Sequence, residues 1–178
     1  MELSTTLLRL QLDAKQLDFI VDVPSPDTVT YCNELLLNEP ILLAVPRSFL
    51  PRVQPQSGAL ELNVLSGEPF ILLPPEQMLG GICQKMCEQA GFLPDLRLQC
   101  SSVERALSLA AQQLGITFAP LIFAQRQFYG EELCYFHLAR VETSRPLALV
   151  YPRSSYQSTP LKAMLELFRI QVPKLYGL

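Results

Sequence analysis

The segment Pro69-Phe70-Ile71-Leu72-Leu73-Pro74-Pro75 constrains the fold more than any other stretch of the chain. Its apolar core is too short for a stable helix and is closed by proline on both sides, so it reads as a buried strand. The residues after it change period. Leu79, Ile82, Cys83, Met86, Cys87 and Ala90 recur at helical spacing and predict a helix with one apolar stripe. Pro74-Pro75 should open that helix, because proline suits the first helical turn. Gly91 should end it as a C-cap residue. Leu96-Arg97-Leu98-Gln99-Cys100 then alternates as a strand does. Strand, helix and strand in succession are the repeating unit of an α/β layer structure.

The alternation extends in both directions. Ser4 to Gln16 reads as a helix capped by Ser4, with Leu3, Leu7 and Leu10 on one face and Leu8 and Leu12 beside it. Leu17 to Val23 reads as a strand, broken by Pro24-Ser25-Pro26-Asp27. Pro40 to Val45 is a further strand, Pro46 to Gly58 a proline-containing loop, and Leu60 to Leu65 a short helix or turn. Ser101-Ser102-Val103-Glu104 spells a capping box, with Glu104 three residues after Ser101. Such a cap is worth about 1 kcal/mol. The helix it opens turns Val103, Ala106, Leu107 and Ala110 inward. Ile116 to Ala119 is a strand led in by Gly115 and stopped by Pro120, and Tyr135 to Val141 and Leu147 to Tyr151 are two more. A last helix has Pro160 near its start and Leu161, Met164, Leu165 and Phe168 on one face. The order predicts an α/β fold with mostly parallel sheets flanked by helices. The proline-rich break after Val23 and the polar stretch Gln125 to Glu132 are the places where the chain could pass between lobes.

Composition narrows the function. Of 178 residues, 49% are hydrophobic and 17% charged, which is enough apolar material for a real core. The net charge is −3 and no Lys/Arg-rich run occurs, so the electrostatic footprint of a nucleic-acid binder is absent. No apolar stretch is long enough to cross a bilayer. Met1-Glu2-Leu3-Ser4 lacks the basic start of a signal peptide. The five cysteines include no C-x-x-C pair, which argues against a disulfide framework and a zinc site and makes a reducing cytoplasm the expected compartment. No G-x-S-x-G, H-E-x-x-H or Gly-rich phosphate loop is present. Gly80-Gly81 lies inside a helical stripe and reads as permitting close packing. His137 is the only histidine, and only Cys134 lies close to it in sequence, so it reads as an ordinary side chain. The carboxylates are scattered, with no recognisable acid/base couple. No catalytic residue, metal or cofactor is expected.

Several motifs, taken together and in order, are similar to the effector-binding domain of LysR-type transcriptional regulators. Glu39-Pro40-Ile41-Leu42-Leu43-Ala44-Val45-Pro46 resembles the strand that opens that domain's second lobe, and Gly67-Glu68-Pro69-Phe70-Ile71-Leu72-Leu73-Pro74-Pro75 its next strand. Cys100 to Glu104, followed by Leu114-Gly115-Ile116-Thr117-Phe118-Ala119-Pro120, resembles its serine-capped helix and Gly-Ile strand. Arg145 to Tyr151 with the helix ending at Phe168, and Leu17-Asp18-Phe19-Ile20-Val21, match further elements. One departure is Gln113, where the family has a glycine.

The resemblance implies a two-lobed, type II periplasmic-binding-protein-like fold. Residues 1–30 with 133–178 would form a first, discontinuous lobe, and residues 31–132 a second. It also implies that the chain enters the fold partway through the first lobe, without a helix-turn-helix head. The strand near Phe19 would then present unpaired backbone groups that template association. The expected activity is sensing of a small-molecule effector, with a homodimer or higher oligomer as the assembly, no direct nucleic-acid contact and no membrane. Alternatives are a headless modulatory partner of a full-length regulator and an enzyme on the same fold. Ligands of α/β sheets bind at the carboxyl ends of strands, and helix starts there favour anions such as carboxylates. By resemblance, the cleft between lobes would be lined by Ser101, Ser102, Glu76, Gln77, Met78, Pro120 and Leu121, faced by Val23, Pro24 and Ser25. Ser101 also reads as a plain cap, and Gln77 as an exposed helix residue. Cys83 and Cys87 read either as a thiol sensor, as in some family members, or as core packing on the apolar stripe.

Overall fold

The computed structural model describes residues 5–53, 59–139, 144–155 and 159–176. The elements in chain order are α1 (Thr5–Asp13), β1 (Ile20–Asp22), β2 (Tyr31–Pro46), α2 (Leu50–Val53), β3 (Ala59–Leu60), β4 (Pro69–Leu72) and α3 (Met78–Gln89), then β5 (Asp95–Gln99), α4 (Val103–Ala111), β6 (Thr117–Pro120), α5 (Leu121–Gln125), β7 (Leu133–Leu138), β8 (Ser144–Pro152) and α6 (Thr159–Leu175). Leu60–Leu65 divides into the two-residue β3 and a single turn of 3-10 helix at Leu62–Leu65. The expected cap Ser4, the end of the Pro46–Gly58 loop and Val141 lie outside the described residues.

Two compact units result. One is Met1–Glu39 with Ser144–Leu178, and the other is Pro40–Thr143. The chain therefore leaves the first unit after Glu39 and re-enters it at Ser144. Neither passage falls at the breaks after Val23 or at Gln125–Glu132. The reason is β2: the sequence predicts a strand only from Pro40, yet pairing carries it back to Tyr31 as one strand of 16 residues. Its half-polar first part, Tyr31 to Glu39, carries no period strong enough to read.

In the first unit, β1 runs antiparallel to β8, with Ile20 opposite Val150 and Asp22 opposite Ala148, and β8 is flanked on its other side by β2. Successive residues of a strand point to opposite faces, and β8 uses both. Ala148 and Val150 join Leu12, Ile20 and Tyr31 on one face, with Leu8 of α1 against them. Leu149 and Tyr151 join Leu161 and Leu165 of α6 on the other. Phe19 meets Phe168 edge-on at 5.4 Å between ring centroids. Among the described residues of this unit Glu39 is a fully buried carboxylate. Arg145 donates to it from Nε at 2.7 Å, and the Tyr176 hydroxyl donates at 2.6 Å. Glu34 in the same strand accepts from Arg169, at 2.6 and 2.8 Å, and from the Tyr151 hydroxyl.

In the second unit, β2 pairs antiparallel with β6 and β7. β3 runs parallel to β7, and β4 runs parallel to β5 and to Ile116. The sheets are thus mixed rather than mostly parallel. The chain enters this unit along β2 and leaves it along β7, and paired strands of opposite travel must be antiparallel. Phe70, fully buried, lies 6.0 Å from the Phe118 ring and 6.1 Å from Phe92. The inward residues of α3 (Leu79, Cys83, Met86, Cys87) and of α4 (Val103, Ala106, Leu107, Ala110) complete one core with it. The alternation of β5 misleads. All five of its residues are exposed, Leu96 at 50% and Leu98 at 39%. Among the described residues it pairs with β4 alone, at the edge of its sheet.

Two backbone positions yield predictions. Gln113 adopts φ +66 just beyond the last turn of α4. A left-handed non-glycine residue costs about 1–2 kcal/mol, so Gln113→Gly should raise unfolding stability by roughly 0.5–1 kcal/mol after the unfolded-state entropy cost. A urea midpoint that falls instead would refute this. Removing a buried carboxylate leaves its cation unpaired, so Glu39→Ala should lower stability by about 3–5 kcal/mol, measured in the same titration.

Candidate functional site

Three parallel segments set the candidate site of the second unit. Because β4, β5 and Ile116 run the same way, the ends at Leu72, Gln99 and Pro120 open on one edge. After Leu72 the chain does not enter a helix at Pro74-Pro75. It makes a turn, closed by the Gln77 N–H donating to the Pro74 carbonyl at 2.9 Å, and α3 begins only at Met78. Two adjacent prolines bias the residue before each away from helical angles, which delays the start by three residues. Gly80 fits because it has no side chain: a Cβ there would lie 2.2 Å from the Pro74 carbonyl oxygen and 2.5 Å from that of Leu73.

The second helix start is tied to the same strand, since the Cys100 N–H donates to the Leu72 carbonyl at 2.9 Å. Its cap is Ser102, not Ser101. Ser102 is extended, and its hydroxyl accepts from the Arg105 N–H at 3.4 Å. The capping box is displaced by one residue, and Glu104 falls one position short of the place where it could return the bond. Ser101 stays exposed with its carbonyl turned to α3. The Gln77 side chain donates from Nε2 to that carbonyl at 3.2 Å. Gln77 thus braces the two helix starts, a role the spacing alone did not reveal. Glu76 and Met78 beside it are exposed, Leu121 is half-buried, and Pro120 is buried at the end of β6.

The remaining predicted residues belong to the first unit. Val23 and Ser25 are buried and Pro24 is half-buried. The Ser25 N–H donates to Asn33 Oδ1 at 2.8 Å, and Asn33 Nδ2 donates back to the Ser25 carbonyl at 2.9 Å. Arg9 of α1 donates to the Ser25 hydroxyl at 3.1 Å and to the Pro24 carbonyl at 3.4 Å. Sequence reading missed both Arg9 and Asn33. Their partners lie 8 to 16 residues away, beyond any local motif.

Cys83 and Cys87 are buried on the apolar face of α3. Burial, and secondarily Glu88, push the Cys87 thiol up to about 12, and burial also raises Cys100. The reactive species is the thiolate, which these sites suppress. His137 is exposed in β7. Among the described residues no three His, Cys, Asp or Glu side chains are placed to hold a metal ion.

Comparison with known proteins identifies the class. A model described as the LysR substrate binding domain matches residues 1–172. The chain therefore belongs to the LysR substrate-binding domain family. It is similar to a hydrogen peroxide-inducible genes activator of Haemophilus influenzae, 28% identical over 150 residues, which cover 84% of this chain and 49% of the relative. It is also similar to the uncharacterized HTH-type transcriptional regulator YcgK of Bacillus subtilis, 29% identical over 149 residues, 75% of this chain and 45% of the relative. The chain spans about half the length of these curated relatives. Solved structures share the periplasmic-binding-protein-like α/β fold. Full-length BenM is 20% identical with a TM-score of 0.78, covering 99% of this chain and 57% of that one. The BenM effector binding domain with its effector benzoate is 21% identical with a TM-score of 0.77, covering 99% and 78%.

Substitution should separate the two serines. Ser102→Ala removes the α4 cap and should cost about 0.5–1 kcal/mol, its 3.4 Å bond placing it low in the capping range, while Ser101→Ala should leave the denaturant midpoint unmoved. The thiols offer a second check. In the folded chain at pH 8, Cys83 and Cys87 should resist a disulfide-forming thiol reagent and react only after unfolding, which mass spectrometry of the labelled peptides would read directly.

Proposed function

We propose that the chain is a sensing module for a small-molecule effector, received on the second unit where α3 and α4 begin. The observation that carries this reading is the Gln77–Ser101 brace, which holds two helix starts together at the carboxyl ends of parallel strands. Free backbone N–H groups at such starts suit an oxyanion, so the effector is a carboxylate. Glu76, Gln77, Met78, Ser101 and Ser102 form its rim, with Pro120 and Leu121 behind. Val23, Pro24 and Ser25 belong to the first unit, where Arg9 occupies the Ser25 hydroxyl. Benzoate is the effector of the BenM domain in its solved structure, and it supplies a probe of the right chemistry.

The role proposed for the module is binding. Among the described residues the displaced titrations belong to groups that are buried or held by structural partners, such as Tyr31, pushed up to about 12 by its hydrogen bond to Asp13 and by burial. The module signals through assembly with a second copy. The exposed leucines of β5, and β1 at the end of its sheet with Val21 at 38% exposure, offer strand edges for that association.

A thermal-shift screen of benzoate, other aromatic acids, small aliphatic carboxylates and amino acids tests the reading. A ligand at a hundred times its dissociation constant adds about 2.7 kcal/mol, or roughly 5–10 °C for a chain of this size. Gln77→Ala should abolish the shift while moving the unliganded Tm little. Glu76→Gln should strengthen it, because a carboxylate at the rim repels an anion. A flat response to every acid would overturn the carboxylate reading. Light scattering should show a dimer or larger species at tens of micromolar, and a monomer there would overturn the assembly.

A further inference from the structure

Thr117 is the buried polar residue of β6, with 1% of its surface exposed. Its hydroxyl oxygen is buried, and no protein group among the described residues hydrogen-bonds it. An unpaired buried hydroxyl is costly enough that native proteins satisfy nearly all of them. Beside it lies a small cavity under the first turn of α3, walled by Leu79, Cys83 and Phe118 and reaching Leu73 and Gly80. The cavity leaves about 10 Å³ for the centre of a water-sized sphere, close to what one water molecule needs.

A buried water also needs two to four polar partners, and the lining residues supply them. Thr117 offers a hydroxyl. Gly80 is the third residue after the N-cap Gln77, so its N–H belongs to the first turn and has no acceptor within the helix. The Leu73 carbonyl oxygen lies where a Gly80 side chain would otherwise stand, 2.5 Å from the ideal Cβ position. Leu73, Gly80 and Thr117 all line this space, and between them they carry one acceptor, one donor and one group able to act as either.

We infer that this cavity is a binding site for one structural water, bridging the Thr117 hydroxyl to the main chain of the turn between β4 and α3. The water pins that turn from below, and the turn carries Glu76 and Gln77. The inference stands whether or not an effector binds above it.

Substituting Thr117→Val keeps the shape and removes the hydroxyl. With a water in place the change strands the main-chain groups and should lower Tm by roughly 3–6 °C. A dry cavity predicts the opposite sign, because the substitution would then remove an unsatisfied group. A crystal structure of the parent chain near 1.8 Å resolution should show one water within 3.2 Å, the usual hydrogen-bonding limit, of Thr117 Oγ1. Thr117→Ser should retain it and Thr117→Val should lose it. An empty cavity in the parent, or a Thr117→Val chain that melts as high as the parent, would overturn the inference.

Discussion

The carboxylate of Glu39 has no access to solvent, so every favourable interaction open to it must come from the protein. Arg145 and Tyr176 provide them. These three residues come from β2, from β8 and from the end of the chain beyond α6, and Glu39 and Arg145 stand next to the points where the chain leaves and re-enters the first unit. A buried ion pair rarely adds much stability over an apolar substitute, but losing one partner is severe. Its effect here is specification. The pair admits one register of β2 and β8 within the first unit, and Tyr176 ties the last turn of the chain to the same point.

That register matters because β2 serves two cores at once. Ile41, Leu43 and Val45 enter the core of the second unit, while Tyr31 packs with Leu12 and Ile20, and Leu36 with Leu149 and Leu165, in the first. A slip of one residue would turn every one of these side chains to the wrong face. The polar anchors Glu34 and Glu39 interrupt these apolar positions, each bound to an arginine distant in sequence. They set the strand where hydrophobicity alone leaves it undefined.

Legibility in the sequence followed the range of the forces involved. The stripe of α3, the inward residues of α4 and the apolar runs at β4 and β8 were readable, because periodicity records burial directly. The first half of β2 was not, because its pairing and ion pairs join residues more than a hundred positions apart. The alternation of β5 was real but recorded no burial. At the candidate site the two helix starts were legible as motifs. Which serine caps, where α3 begins and how Gln77 points were set by proline sterics and by one hydrogen bond across 24 residues. Arg9 and Asn33, which fix the Pro24–Ser25 turn, left no local trace.

The discontinuity of the first unit bears on how the molecule forms. The second unit is one continuous stretch and carries the larger core, so its contacts can assemble as soon as that stretch is available. The first unit must join its two segments across about a hundred intervening residues, and the entropy of closing so long a loop delays such contacts. Once the second unit has folded, β2 and β7 are held antiparallel and the effective loop becomes short. During synthesis α1 and β1 leave the ribosome before β8 and α6 and wait for them. Their apolar faces stay open for that interval, so the first unit is the part of the chain most in need of protection before it closes.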